Sequence, residues 1–152
     1  MPDTPAPGQS SSLGQPRVHV THTFRSAPAD VFAALGEHEN LGPLFGANIT
    51  RLRDGHTSRN GVGSARTLKL GPLPGFVETV VVSEPDERIE YEITQGSPLK
   101  GHRGIQVLTP TADGGTHLDY TIHFDAPVPG VATAVAKVLT QKINANLPKL
   151  VP

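Results

Sequence analysis

The sequence contains no cysteine, and only 5% of its 152 residues are aromatic. Without cysteine there is no disulfide framework, no thiolate nucleophile and no cysteine-ligated zinc site. An excess of charge is missing too: 13 basic and 14 acidic side chains leave a formal net charge of -1, with no block of either sign. A nucleic-acid surface shows a basic stripe, so nucleic acid is not an expected partner. No apolar run approaches the length that crosses a bilayer. Met1 to Gln15 lacks the basic region and apolar stretch of a secretory signal. These absences predict a cytoplasmic protein with no membrane span, long enough for one domain with a sizeable core.

Glycine (16) and proline (15) are plentiful. Pro2, Pro5, Pro7 and Pro16 alternate with Ser, Gly and Gln, a composition that buries too little apolar surface to offset its ordering entropy. Residues 1–15 therefore read as a flexible tail ahead of one domain over 16–152. The other prolines and glycines fall between apolar runs as turn punctuation.

Val18, Val20, His22 and Phe24 alternate with polar residues, which predicts a strand over 17–25. Ser26 to Asp30 opens a helix, with Pro28 in its first turn and Val31, Phe32 and Leu35 on its apolar face. Residues 40–45 read as a second short helix or a turn, interrupted by Gly42 and Pro43. Six strands are then predicted, over 47–53, 62–70, 76–83, 88–94, 101–109 and 116–126. Asp54-Gly55, Gly71 to Gly75, Pro85-Asp86, Gly96-Ser97-Pro98 and Asp113-Gly114-Gly115 break them. Connections this short make an antiparallel meander. A long helix follows over 131–147, with Val131, Val135, Val138, Leu139 and Ile143 on one face, and Pro148 marks its end. The class is α+β. One helix must cover one face of a seven-stranded curved sheet, and it cannot fill so wide a concavity, so an internal cavity is expected between them.

Four stretches, in this order and spacing, resemble the SRPBCC superfamily of START-related, birch-pollen-allergen-like and polyketide cyclase/dehydrase proteins. They are Ser26-Ala27-Pro28-Ala29-Asp30-Val31-Phe32, Gly61 to Arg66, Phe76 to Val80 with Glu84 to Tyr91, and Gly114 to Leu118. The resemblance spans residues 17–150. It implies a helix-grip fold, in which the curved antiparallel sheet and two short helices close over the long C-terminal helix. Enzymes, carriers and hormone receptors share that scaffold, so the fold does not choose a function.

Strand parity selects inward side chains. Tyr91 and Ile93 lie opposite Glu90 and Glu92. Tyr120, Ile122 and Phe124 lie opposite His123 and Asp125. Leu68 and Leu70 are inward, with Arg66 on their face. Parity leaves two registers open in 76–83, and the resemblance favours Glu78 inward. It likewise favours His102, Gly104 and Gln106 inward in the sixth strand, whereas Ile105 and Val107 favour the opposite register. On the long helix Asn146 follows Val135, Leu139 and Ile143 at helical spacing, and Lys142 lies at that face's edge. Ligand-binding candidates are Arg66, Leu68, Leu70, Glu78, Tyr91, Ile93, His102, Tyr120, Ile122, Phe124, Val135, Leu139 and Asn146.

Arg66 and Glu78 form either a ligand-binding couple or a structural ion pair. Tyr91 and Tyr120 either donate to a carbonyl or only pack. His22 and His102 are either proton carriers or satisfied core histidines. No histidine pair has ligand spacing, so no metal is expected, and no cofactor. A Ser64–His123–Asp125 arrangement fails because parity turns His123 and Asp125 outward. The loops 71–75 and 96–99 resemble the two that flank the cavity mouth in plant hormone receptors of the superfamily, though a stiff hairpin explains them equally. Two functions remain. One is a carrier or binding protein for a small hydrophobic molecule. The other is a cyclase or dehydratase of polyketide-like chains, with Arg66, Tyr91, His102 and Tyr120 as catalytic candidates. Either a monomer or a homodimer is compatible with the sequence, as is an interaction module using its sheet edge or its outer face for a protein partner.

Overall fold

The computed structural model describes residues 14–72 and 74–151. Most of the expected tail and Leu73 of the 71–75 loop lie outside the described residues. In chain order the elements are β1 (Val18–Phe24), α1 (Pro28–Gly36), a 3-10 turn (His38–Asn40), α2 (Leu41–Phe45), β2 (Asn48–Arg53), β3 (Ala65–Lys69), β4 (Phe76–Glu84), β5 (Arg88–Gln95), β6 (Lys100–Pro110), β7 (Thr116–Asp125) and α3 (Val131–Asn146), with a last 3-10 turn at Leu147–Lys149. The strands form one antiparallel sheet in the order β1-β7-β6-β5-β4-β3-β2. The meander predicts every neighbour pair except β1 with β7, a long-range closure that sets Val18 opposite Ile122 and Phe24 opposite Thr116. Register shifts in β2, β4 and β6 add residues on one side of a pair, which bends the strands around α3. This is the helix-grip arrangement.

β3 is shorter than its apolar pattern predicts. Residues 61–64 turn instead, held by the Ser64 hydroxyl donating to the Gly61 carbonyl at 2.7 Å. The predicted inner face of α3 is also corrected. Val131 and Val138 are exposed, and the helix buries Ala132, Ala136 and Ile143, with Val135 and Leu139 half-buried beside them. Small alanines let a helix sit close to a sheet, and close packing outweighs the greater hydrophobicity of valine.

The register settles both ambiguous strands. Arg66 faces Glu78, Val80 faces Tyr91, Tyr91 faces Gly104, and Gln106 faces Tyr120. All of these lie on the concave side, so Glu78, Gly104 and Gln106 point inward. Ile105 and His123 are on the convex side, yet both are buried.

Candidate functional site

Half-way down the concave face the sheet carries polar groups where an apolar core would be expected. Arg66 and Glu78 are cross-strand partners, and Nε and Nη2 of Arg66 donate to Glu78 Oε1 at 3.0 and 2.7 Å. Their side chains are 3% and 5% exposed, which makes this a buried ion pair. His38, from the 3-10 turn before α2, adjoins the pair. Arg66 Nη1 donates to His38 Nδ1 at 3.3 Å, and His38 Nε2 lies 2.9 Å from the Ser64 hydroxyl. A guanidinium only donates, so Nδ1 carries no proton and Nε2–H donates to Ser64. Burial, then the Arg66 charge, pulls the His38 pKa down to about 3. Ser64 is no activated nucleophile, because its proton goes to Gly61 and its histidine is a donor held neutral.

On the other side of Glu78, His102 Nε2 approaches Oε2 at 3.7 Å. Its Nδ1 accepts the Ile93 backbone N–H at 3.0 Å, so this histidine too is neutral, and burial lowers its pKa. The hydroxyls of Tyr91 and Tyr120 are hydrogen-bonded to each other. The Arg66 guanidinium lies 4.9 Å above the centre of the Tyr91 ring, a cation–π contact. Burial raises both tyrosine pKa values, so both hydroxyls keep their protons at any ordinary pH.

Gly104 makes this arrangement possible. A Cβ there would overlap the Tyr91 ring and its hydroxyl. Gly104→Ala is therefore expected to swing Tyr91 off Tyr120 and cost about 1–3 kcal/mol by overpacking. Chemical denaturation checks this, and a Gly104→Ala/Tyr91→Leu double variant should recover part of the loss. An unchanged midpoint in the single variant would contradict the packing described.

A family model described as polyketide cyclase/dehydrase and lipid transport matches residues 15–152. The chain belongs to that family. No curated protein sequence matches it significantly, but the fold is shared with solved structures. A START superfamily protein from Mycobacterium smegmatis is 15% identical, with 87% of this chain and 94% of that one covered at a TM-score of 0.67. The Zhui aromatase/cyclase from a Streptomyces species is 17% identical, covering 88% and 87% at a TM-score of 0.64. The Aha1 dimer from Colwellia psychrerythraea is 14% identical, covering 86% and 95% at a TM-score of 0.60. Among the described residues no helix is long and apolar enough to cross a membrane.

In this member of the polyketide cyclase/dehydrase family, Arg66, Glu78, Tyr91, His102 and Tyr120 come together as one buried cluster. At this depth the interior is filled by those side chains: Tyr91 is 2% and Tyr120 0% exposed. Leu68, Ile122 and Phe124 are buried around them. Exposure rises toward the end of the sheet where β4 and β6 begin, and there Leu70, Phe76, Ile93 and Leu99 are half-buried. Val135 and Leu139 of α3 are half-buried as well and pack against the core. His22 is half-buried, its ring edge-on to Phe24 at 4.6 Å, away from the cluster. Asn146 has partners within the protein. Its amide nitrogen donates to the carbonyls of Lys142 at 2.9 Å and Leu44 at 3.4 Å, tying α3 to α2.

The same end of the sheet carries an open depression of about 410 Å³, lined among others by Pro43, Gly46, Asn48, Lys69 and Gly71. None of the expected ligand-binding residues lines it. The two loops expected at the mouth touch each other, because a Cβ at Gly96 would lie 3.0 Å from the Gly75 carbonyl.

The sequence reading missed His38 and left Gln106 out of the site. His38 sits in Glu37-His38-Glu39-Asn40, between two helices and outside any periodic pattern. Gln106 was signalled by the His102-Gly104-Gln106 alternation and lost only because Ile105 and Val107 are the more hydrophobic set.

Proposed function

We propose that the chain binds a small apolar molecule between the sheet and α3, as a carrier or binding protein. One observation carries this reading: a buried, hydrogen-bonding floor (Arg66, Glu78, Tyr91, His102, Tyr120) lies below a rim of half-buried apolar side chains. A few polar groups that orient, with apolar walls that supply affinity, are the usual composition of small-molecule sites. The state of the floor favours binding over acid–base chemistry. A general acid or base works best with a pKa near the operating pH. Here both histidines are pushed down and both tyrosines up.

Native mass spectrometry of the purified protein should detect a co-purifying apolar ligand, and the uncharged dye Nile red should bind and be displaced by it. Val135→Glu places a charge on the half-buried face of α3 and is expected to weaken Nile red binding at least tenfold, about 1.4 kcal/mol. Unchanged affinity would remove α3 from the binding surface. Cyclisation or dehydration of a polyketide-like chain is the second reading, favoured by the paired, protonated hydroxyls of Tyr91 and Tyr120 under Arg66. It requires turnover of a poly-β-ketone mimic that Tyr120→Phe abolishes while binding persists.

A further inference from the structure

Two buried side chains among the described residues, Gln106 and His123, have polar atoms with no hydrogen-bond partner. His123 faces the convex side. Gln106 is 1% exposed, faces inward and lies directly across from Tyr120, so its open valences belong to the floor of the interior. We propose that the interior takes an uncharged ligand whose polar end both accepts and donates a hydrogen bond, an amide or hydroxy-ketone rather than a carboxylate, with Gln106 as its partner. This rests on the binding reading above and adds the ligand's chemical class.

The charges argue first. Arg66 is the only cation in the cluster, and Nε and Nη2 are committed to Glu78 while Nη1 is committed to His38. Both histidines there are neutral, for the hydrogen-bonding reasons given above. The floor is thus electrically balanced without a ligand. A carboxylate entering it would be a desolvated charge beside Glu78 with no counterion left, which a dry interior penalises strongly.

The hydrogen bonds argue second. The bond between Tyr91 and Tyr120 uses one of their two hydroxyl protons, and the other is left to donate. Gln106 adds two N–H donors and a carbonyl acceptor that form no hydrogen bond of good geometry, although the amide lies close enough to the Tyr120 hydroxyl to favour its ionisation slightly. Buried amides in folded proteins almost always have partners, because leaving one unpaired forfeits its hydration without compensation. The open set is complementary to a neutral donor–acceptor group. Because these side chains fill the interior at this depth, a ligand inserting such a group between Tyr120 and Gln106 has to part them, and it replaces the tyrosine–tyrosine contact with bonds of its own.

The test is displacement of Nile red at pH 8 by three probes of one chain length: decanamide, 2-decanone and decanoate. Decanamide should displace most tightly, 2-decanone less so, and decanoate at least tenfold more weakly than decanamide. Gln106→Leu should weaken decanamide at least tenfold, and by more than it weakens Nile red. Its melting temperature should be equal or higher, since an apolar side chain replaces an unpartnered amide. Equal displacement by decanoate and decanamide overturns the neutral-ligand inference and leaves the binding reading standing. So does a Gln106→Leu variant that melts lower yet binds decanamide unchanged, because Gln106 then serves a structural partner such as a trapped water. If Nile red does not bind at all, the binding reading fails, and the inference with it.

Discussion

Arg66→Met should destabilise the folded protein by about 3–5 kcal/mol, the usual cost of removing one partner of a buried ion pair. Glu78 is 4% exposed, and without the guanidinium it would be left with His102 Nε2 at 3.7 Å. That contact is too long to replace two charge-assisted bonds of 3.0 and 2.7 Å. Glu78→Leu should cost a similar amount by stranding the guanidinium. The double variant Arg66→Met/Glu78→Leu should be much closer to the natural protein than either single variant, because well-packed apolar groups substitute for a complete ion pair at little cost. Urea denaturation of the four proteins forms a double-mutant cycle and yields the coupling between the pair. A cost below about 1 kcal/mol for Arg66→Met would match a solvated surface pair. It would show that water reaches the floor and that the interior is a wet cavity.

Stability should also fall with acid, beginning near pH 6.5. The His38 pKa is about 3 in the folded protein against an ordinary 6.5, because burial and then Arg66 and Arg51 oppose its charge more than Glu39 and Glu37 favour it. A depressed pKa means the unfolded chain binds the extra proton first. The His38 contribution is therefore complete above about pH 6.5, and it is lost progressively as pH falls toward 3. At about 1.4 kcal/mol per pH unit the loss across that window amounts to a few kcal/mol. His102, also lowered by burial, adds in the same direction. The structural reason is visible in both tautomers: each Nδ1 accepts a hydrogen bond, from Arg66 or from the Ile93 amide, and a proton there would turn acceptor into donor. Unfolding free energies measured from pH 8 to 3.5 should show this slope, and His38→Gln should flatten it by about one proton. A variant with the natural slope would place the titration elsewhere.

Both predictions depend on groups whose types the sequence displays but whose meeting it does not. Arg66 and Glu78 are readable as inward candidates because alternation in β3 puts Arg66 on the face of Leu68. In β4, however, Phe76-Glu78-Val80 and Val77-Thr79-Val81 are nearly equal in apolar content. A strand's period assigns residues to two faces and does not say which face is buried. In β6 the more hydrophobic alternate set, Ile105 and Val107, belongs to the convex side. His102, Gly104 and Gln106 take the inner face, with His102 held there by the Ile93 N–H and against the Tyr91 ring. Gly104 then accepts the Tyr91 ring, a fit between two strands that neither strand records alone.

The long helix teaches a similar lesson. Its existence, length and end were legible, since an apolar period and Pro148 suffice for them. Its rotation was not, because hydrophobicity ranks Val131 and Val138 above Ala132 and Ala136 while the concave sheet selects for small size. Asn146 follows Ile143 on the packed side of the helix, and its amide ties α3 to the α2 carbonyl of Leu44.

By itself, then, the sequence determined the order of elements, the antiparallel meander, the capping helix and the family resemblance, all of which rest on local periodicity and turn chemistry. Only the tertiary structure decided which faces are buried, that β1 closes on β7, and that His38 bridges Ser64 and Arg66. It also decided that the floor is charge-balanced with Gln106 left open. Those are properties of distances between residues far apart in the chain, and such distances are set by sheet curvature and packing rather than by any local run of side chains.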